Sequence, residues 1–415
     1  MRPPKILVLA PHLTRSAGGI ASAASSLSQV LCSAGWSLQV LTTDLGESGE
    51  EAREPLDSRT GCLVFPAGKG WNRRIYRPRE LSQWLRAHLS AYDLLDIQGV
   101  WLGAAIDAAR AAYESGVPYV FTPHGQSSRQ DREKKFWKKF FFQKLFLERA
   151  WQRAAAIRFL GEEERRLSVF PPHPGATVIP NFVKIPAVPP ATENRRRTTS
   201  LPWDGPVILF LGRLSPQKGV LEILDAFERA YQRRPDAHLV LAGPDQGSYG
   251  ILAREKASRM AGKAHIHFVG PVYDGEKWSL LSAATLFITL SRNEGLPMAV
   301  IEALGAGLPI VVTGEANVGA AIEAGAGHLV RLEKSDEVAR SIVEILENRD
   351  LREQMARKAR HFFSAHYSFE AAGTALLLFY ANLLGRRPSR GAARTEGGTE
   401  NGAEKQLNNR KGRDE

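Results

Sequence analysis

The chain has 415 residues, 43% hydrophobic and 24% charged, and its 55 Lys and Arg against 44 Asp and Glu give a net charge of +11. That length accommodates about two or three domains with real cores, and the composition excludes a largely disordered chain. Two cysteines, Cys32 and Cys62, exclude a disulfide-built module and any multi-cysteine metal site, and they point to a reduced, cytoplasmic setting.

The N-terminus carries only a short apolar run, residues 6–10, before Pro11 and His12. It reads as a first buried strand rather than a signal peptide. Further strand-like runs follow at 37–43, 62–66, 93–98, 118–122, 156–160 and 177–180, several of them apolar throughout, as parallel strands covered on both faces should be. Residues 185–204 (IPAVPPATENRRRTTSLPWD) have no apolar period and read as a linker. The second half repeats the style with runs at 207–211, 238–242, 266–269, 286–290, 309–313 and 327–330, and helical patterns at 218–232, 278–283 and 298–305 between them. From 335 to 384 the pattern is purely helical, and its apolar stretch at 374–384 is about half of what a membrane span needs. The last residues, 386–415, contain no aromatic side chain and are expected to be a disordered tail.

Alternating strand and helix predicts a doubly wound parallel sheet in each half, and ligands of such sheets sit beyond the carboxyl ends of the strands. Two sheets facing each other would place the chemistry in the cleft between them. Four segments lie at those strand ends. Ser16-Ala17-Gly18-Gly19-Ile20 opens a helix after the first strand, and its paired glycines allow backbone N–H groups to approach an anion; a plain tight turn has the same appearance. Thr122-Pro123-His124-Gly125-Gln126 ends the 118–122 run and puts His124 at the cleft edge, within reach of a hydroxyl. Gly212-Arg213-Leu214-Ser215-Pro216-Gln217-Lys218-Gly219 ends the 207–211 run. Its Arg and Lys suit a diphosphate, although most such pairs are solvated surface charges.

The fourth segment is Asn293-Glu294-Gly295-Leu296-Pro297-Met298-Ala299-Val300-Ile301-Glu302. Pro297 fits a first helical turn, so Glu294 belongs to the loop and Glu302 to the helix, about 12 Å apart at most along its axis. Two carboxylates so placed can hold opposite ends of a polyhydroxyl ligand, with the helix N-terminus between them for phosphate. Glu302 lies in an apolar stretch, where an unpaired carboxylate is costly.

Taken in order, GRLSPQKG (212–219), LVLAG (239–243) and NEGLPMAVIEALGAGLPIVVT (293–313) resemble the retaining nucleotide-sugar glycosyltransferases of family 4, over about residues 5–384. The resemblance implies the GT-B fold: two Rossmann-like domains facing across a cleft, here 1–184 on the acceptor side and 205–365 on the donor side, joined by 185–204. Residues 366–385 would form a helix returning to the N-terminal domain. It implies catalytic roles for His124, Arg213, Lys218 and Glu294. Arg213 and Lys218 would neutralise the diphosphate, Glu294 would bind donor-sugar hydroxyls, and His124 would lie by the donor sugar and acceptor. Donor binding would fall to Glu302 on the ribose and to the backbone of Gly18, Gly19, Gly295, Leu296, Pro297 and Met298. No Asp-x-Asp motif stands in a suitable loop, so neither a metal nor another cofactor is expected. Asp96, Gln98, Gln126 and Ser127 depart from what relatives often carry, in two loops expected to face the acceptor.

Residues 134–141 (KKFWKKFF) put Lys134, Lys135, Lys138 and Lys139 on one half of a helical wheel and Phe136, Trp137, Phe140 and Phe141 on the other. Between Arg132 and Arg158 nine basic residues face two acids. The segment fits a helix lying on an anionic membrane surface, and equally one whose aromatics pack on its own domain. No nucleic-acid-reading module is visible. The expected activity is transfer of a hexose-type sugar, with retention, from a nucleoside diphosphate sugar to a glycan or lipid-linked acceptor. The setting would be bacterial envelope or exopolysaccharide synthesis, at the inner face of the membrane. A nucleotide-sugar epimerase or a non-catalytic scaffold on the same fold are the competing readings.

Overall fold

The structure is a computed structural model that describes residues 2–15, 19–44, 53–67, 76–128, 136–186, 204–245 and 247–385. Gly18, Lys134, Lys135, the 386–415 tail, most of the expected linker and the side chains of Phe136 and Lys138 lie outside the described residues.

Two wholly parallel sheets form. The first has seven strands, β1 (Lys5–Leu9), β2 (Ser37–Thr43), β3 (Gly61–Phe65), β4 (Leu94–Gln98), β5 (Tyr119–Thr122), β6 (Ala156–Phe159) and β7 (Ala176–Val178), in the order β3-β2-β1-β4-β5-β6-β7. The second has six, β8 (Val207–Leu211), β9 (His238–Ala242), β10 (Ile266–Gly270), β11 (Leu286–Thr289), β12 (Ile310–Thr313) and β13 (Gly327–Val330), in the order β10-β9-β8-β11-β12-β13. In each sheet the order reverses beside the first strand, between β1 and β4 and between β8 and β11. That switch is where a doubly wound sheet opens a crevice.

Strand alternation decides which layer each side chain enters. Ile6 and Val8 join a core with the helices Gly19–Ser33 and Ala371–Leu383, whereas Leu7 and Leu9 join the opposite core with Arg79–His88 and Gly103–Ser115. In the second sheet Ile208 and Phe210 pack with Val220–Tyr231 and Ser335–Glu347. Val207, Leu209 and Leu211 pack with Asp274–Ala283 and Met298–Ala306. Most of these side chains are fully buried, each contributing on the order of 1.5–3 kcal/mol.

The chain crosses between the sheets where Val183 lies alongside Ser368, with the Val183 N–H donating to the Tyr367 carbonyl at 3.2 Å. Beyond that crossing, Ala372, Leu376 and Tyr380, spaced for one helical face, bury themselves against the first sheet. No helix among the described residues is long and apolar enough to cross a membrane.

Candidate active site

A cleft of about 480 Å³ opens between the carboxyl ends of the two sheets. Every described candidate lines it: Gly19, His124, Arg213, Lys218, Glu294, Gly295, Leu296, Pro297, Met298 and Glu302.

The loop after β8 turns through Ser215 into a short 3-10 turn, Pro216–Lys218, and Gly219 in a left-handed conformation starts the helix Val220–Tyr231. Lys218 therefore precedes the helix rather than belonging to it, which differs from the expected 218–232. The loop after β11 is tied to this turn twice. The Gln217 side-chain amide donates to the Asn293 carbonyl at 2.7 Å, and the Arg292 N–H donates to the Gln217 carbonyl at 2.8 Å. Those ties place Lys218 Nζ 2.6 Å from Glu294 Oε1. Pro297 is the N-cap of the helix Met298–Ala306 rather than a residue of its first turn. The start of this helix and the start of Gly19–Ser33 face each other, Gly19 lying against Met298. Two helix N-termini on opposite walls present unpaired N–H groups and positive dipole ends to the cleft. No carboxylate among the described residues pairs with Arg213, which leaves its guanidinium free for an anionic ligand.

Glu302 is 5% exposed and carries a partner that sequence spacing did not reveal: Lys277 Nζ lies 2.6 Å from its Oε1. Burial works against the Lys277 ammonium, but Glu302, with Glu54 and Asp274 beyond it, outweighs burial and raises the Lys277 pKa. Burial raises the pKa of Glu54, opposed by Lys277 and Arg15. Arg15, after β1, bridges the two walls by pairing with Asp274 at 2.8 Å and lying over the Tyr273 ring. His12 also lines the cleft, and burial, with the Arg213 charge after it, lowers its pKa. His12, Arg15, Glu54, Asp274 and Lys277 escaped the sequence reading because their partners are distant in the chain. His12 and Arg15 stand just after β1, Glu54 between β2 and β3, and Asp274 and Lys277 in the helix Asp274–Ala283 that follows the 270 loop.

Across the cleft, Gly125 and Gly295 meet backbone to backbone. A Cβ on Gly125 would stand 2.5 Å from the Gly295 nitrogen, and one on Gly295 would stand 2.6 Å from the Gly125 nitrogen. Only glycine permits this approach, and Gly125 also has φ +78°. His124, beside it, has φ +54°, unusual for a residue with a side chain. The expectation that Asp96, Gln98 and Ser127 face an acceptor is corrected: all three are buried. Asp96 and Gln98 are on β4, covered on both faces, so they turn inward, and of these four residues only Gln126 reaches the cleft.

The helix beginning at Phe136 runs through a π-helical turn, Gln143–Leu147, into Glu148–Gln152. Trp137, Phe141 and Leu145, at i, i+4 and i+8, are 69%, 56% and 67% exposed, and Phe146 is exposed next to them. Trp137 and Phe141 thus keep more than half of their surface exposed rather than burying it in their own domain. Phe142 does pack, against Trp101, and Lys139 Nζ lies 4.7 Å from the centre of the same indole. The Trp101 indole N–H donates to the Gln126 carbonyl at 2.7 Å, which links this helix to the cleft wall.

Among the described residues no cluster of His, Cys, Asp or Glu is arranged to hold a metal ion. The charged groups of the cleft instead suit a phosphorylated polyhydroxyl ligand: Arg213 and Lys218 with two helix N-termini for phosphate, and Glu294 and Glu302 as acceptors for hydroxyls.

Comparison with known proteins agrees with this geometry. A family model described as glycosyl transferases group 1 matches residues 191–362, and a glycosyl transferase 4-like domain model matches 18–181. The phosphatidyl-myo-inositol mannosyltransferase of Mycobacterium tuberculosis is 30% identical over 217 residues, 51% of this chain and 55% of that protein. A putative teichuronic acid biosynthesis glycosyltransferase of Bacillus subtilis is 30% identical over 211 residues, 50% and 49% of the two chains. The matched stretch thus spans about half the length of these curated relatives. Among solved structures, sucrose-phosphate synthase from Thermosynechococcus elongatus superposes with a TM-score of 0.74 at 17% identity, covering 92% of this chain and 99% of that one. Anabaena HepE in complex with UDP and glucose gives 0.71 at 16%, covering 91% and 99%. At these identities the superpositions establish the fold, two Rossmann-like domains in the GT-B arrangement.

Proposed function

The chain belongs to the group 1 glycosyltransferases of family 4, and we propose that it moves a hexose-type sugar from a nucleoside diphosphate sugar to a glycan or lipid-linked acceptor, with retention of anomeric configuration. The observation that carries this reading is the convergence of Lys218, Arg213 and Glu294 with two helix N-termini in the interdomain cleft.

In this reading the acceptor hydroxyl oxygen bonds to the anomeric carbon on the face from which the diphosphate departs. The anomeric C–O bond breaks, its electron pair leaves with the diphosphate, and the hydroxyl proton passes to a phosphate oxygen. Negative charge grows on the diphosphate, where Arg213, Lys218 and the backbone N–H groups of Gly19, Gly295, Leu296 and Met298 meet it without reorganising. With those cations in place the step requires no metal. Glu294 accepts hydrogen bonds from the donor sugar, Glu302 from the ribose diol, and His124 stands between donor sugar and acceptor. The pairing of Glu302 with Lys277 supplies the compensation a buried carboxylate needs while leaving its second oxygen for the ribose.

The exposed Trp137, Phe141, Leu145 and Phe146, with Lys139 and Lys144 on the same helix, support a peripheral position on an anionic membrane, at its cytoplasmic face. Envelope or exopolysaccharide synthesis fits an enzyme so placed. The teichuronic acid relative, named for such a pathway, supports the assignment by analogy.

The test is a thermal-shift panel of UDP, GDP, ADP, CMP and their sugars on wild type and Glu302→Ala, followed by product analysis with the donor so identified. One nucleotide should raise the midpoint in wild type alone, and its sugar should be consumed only with an acceptor. Turnover without acceptor to an isomeric nucleotide sugar would make the chain an epimerase, and no binding or turnover at all would make it a scaffold.

A further inference from the structure

His124 is reached from behind by a buried hydrogen-bonded chain that begins on the C-terminal helix. The Tyr380 hydroxyl donates to Asp96 Oδ2 at 2.5 Å, and the Gln98 side-chain amide donates to the same oxygen at 2.6 Å. The Thr122 hydroxyl donates to Oδ1 at 3.2 Å. Gln98 Oε1 then lies 2.5 Å from His124 Nε2. Tyr380, Asp96, Gln98 and Thr122 are all buried, so no solvent competes for these bonds.

The chain has a direction. Burial raises the Asp96 pKa, opposed by the Tyr380 hydrogen bond, the Arg158 charge and the Thr122 and Gln98 hydrogen bonds. The Asp96 oxygen that accepts the phenol O–H is met by the nitrogen of the Gln98 amide. The amide orientation is thereby set, and the atom facing His124 is an oxygen that can only accept. From this geometry we infer that Gln98 is a positioning residue: it locks the His124 imidazole as the Nε2–H tautomer and leaves Nδ1 as an acceptor for a sugar hydroxyl in the cleft. The inference rests on the transferase reading only for the identity of that hydroxyl.

Three further observations agree. Burial, and after it the Arg158 charge, push the His124 pKa down to about 3, so the ring carries one proton and not two. No described group hydrogen-bonds to Nδ1, while His124 lines the cleft. The backbone that carries His124 is fixed, because the carboxylate of buried Glu164 accepts both the Gly125 and the Leu160 N–H groups. Since Tyr380 belongs to the helix that follows the donor domain in sequence, the orientation of an acceptor-side group depends on how the chain's last described helix is docked.

The experiment is long-range ¹H–¹⁵N correlation on the full-length protein labelled at histidine, with His124→Gln used to identify the His124 signals. Wild type should show protonated Nε2 and bare Nδ1, and an Nδ1–H pattern would overturn the inference. Gln98→Met should lose the single tautomer, and Tyr380→Phe, which removes one oxygen and preserves packing, should weaken it. Both should lower kcat for transfer, Gln98→Met by about tenfold, the rate equivalent of one hydrogen bond, with the KM for donor unchanged. A wild-type tautomer retained in Gln98→Met would also overturn it. The spectra need no substrate, so a failed transferase assignment leaves them decisive.

Discussion

Lys218 Nζ and Glu294 Oε1 lie 2.6 Å apart on adjacent strand-end loops, the two side chains 15% and 16% exposed. The contact is an ion pair in which Glu294 Oε1 has no hydrogen-bond partner among the described residues, so the Lys218 charge can hold Glu294 in place while its three protons remain for phosphate oxygens. Arg213, without a carboxylate partner among the described residues, is a second cation on the cleft wall. Replacing either by Ala should lower kcat by about 10²–10³, because each acts on charge that develops as the diphosphate leaves. The two variants should differ in stability. Arg213→Ala should keep the wild-type midpoint, and Lys218→Ala should lose a little because Glu294 is left alone. Turnover assays beside thermal denaturation separate the effects, and near-normal turnover in both variants would sink the assignment.

The Glu302–Lys277 pair predicts a different kinetic signature. Glu302 is expected to bind the ribose equally in ground and transition states, so Glu302→Ala should weaken nucleotide binding about 10–100-fold, the worth of a hydrogen bond to a charged group, with a smaller change in kcat. Lys277→Met should lower the melting midpoint, because it leaves the buried Glu302 carboxylate without its counter-charge. Calorimetric titration with the cognate nucleoside diphosphate checks the first. Unaltered affinity in Glu302→Ala would remove Glu302 from the donor site.

Most of the fold was legible because its signals are local. All thirteen strands fall on the apolar runs read from the sequence, within a residue or two at each end, and strands covered on both faces leave little choice but parallel sheets. The strand-end loops carrying His124, Arg213, Lys218 and Glu294 were legible for the same reason. What could not be read depends on tertiary partners. Lys277 meets Glu302 from another helix, Arg15 meets Asp274 across the cleft, and Tyr380 reaches Asp96 across 284 positions of sequence. Asp96 and Gln98 were misplaced because the family resemblance assigned them to a loop facing the acceptor, whereas here both lie on β4 and satisfy each other inside the core.

A histidine group away from the cleft predicts acid sensitivity. His238 Nδ1 lies 3.0 Å from His267 Nε2, and the His238 and His265 rings stack at 4.4 Å. Burial, then His238 and His265, lower the His267 pKa to about 4, and burial, then His265, lower that of His238. The unfolded chain, with ordinary imidazoles near 6.5, binds more protons than the native one between about pH 6.5 and 4, so stability should fall as pH falls through that window. His267→Gln should flatten the wild-type decline in melting midpoint between pH 7 and 5. Parallel pH profiles for the two proteins would show that the cluster does not titrate as its geometry implies.

The stripe Trp137, Phe141 and Leu145 distinguishes a membrane surface from simple solvation. Inserting three such side chains is worth on the order of 2 kcal/mol each, and a lysine near an anionic surface about 1 kcal/mol. Wild type should therefore co-sediment with vesicles containing anionic lipid, and less so with zwitterionic ones or at high salt. Trp137→Ser with Phe141→Ser should abolish sedimentation at every salt concentration. Lys139→Glu with Lys144→Glu should weaken it mainly at low salt. Neither pair lines the cleft, so turnover of a water-soluble acceptor should survive both. A lipid-linked acceptor in vesicles should lose turnover in proportion to the protein lost from the membrane. Equal sedimentation of wild type and the serine variant would show that the stripe is only a solvated helix face. Loss of soluble turnover would show instead that the Lys139–Trp101–Gln126 connection carries structural strain into the cleft wall.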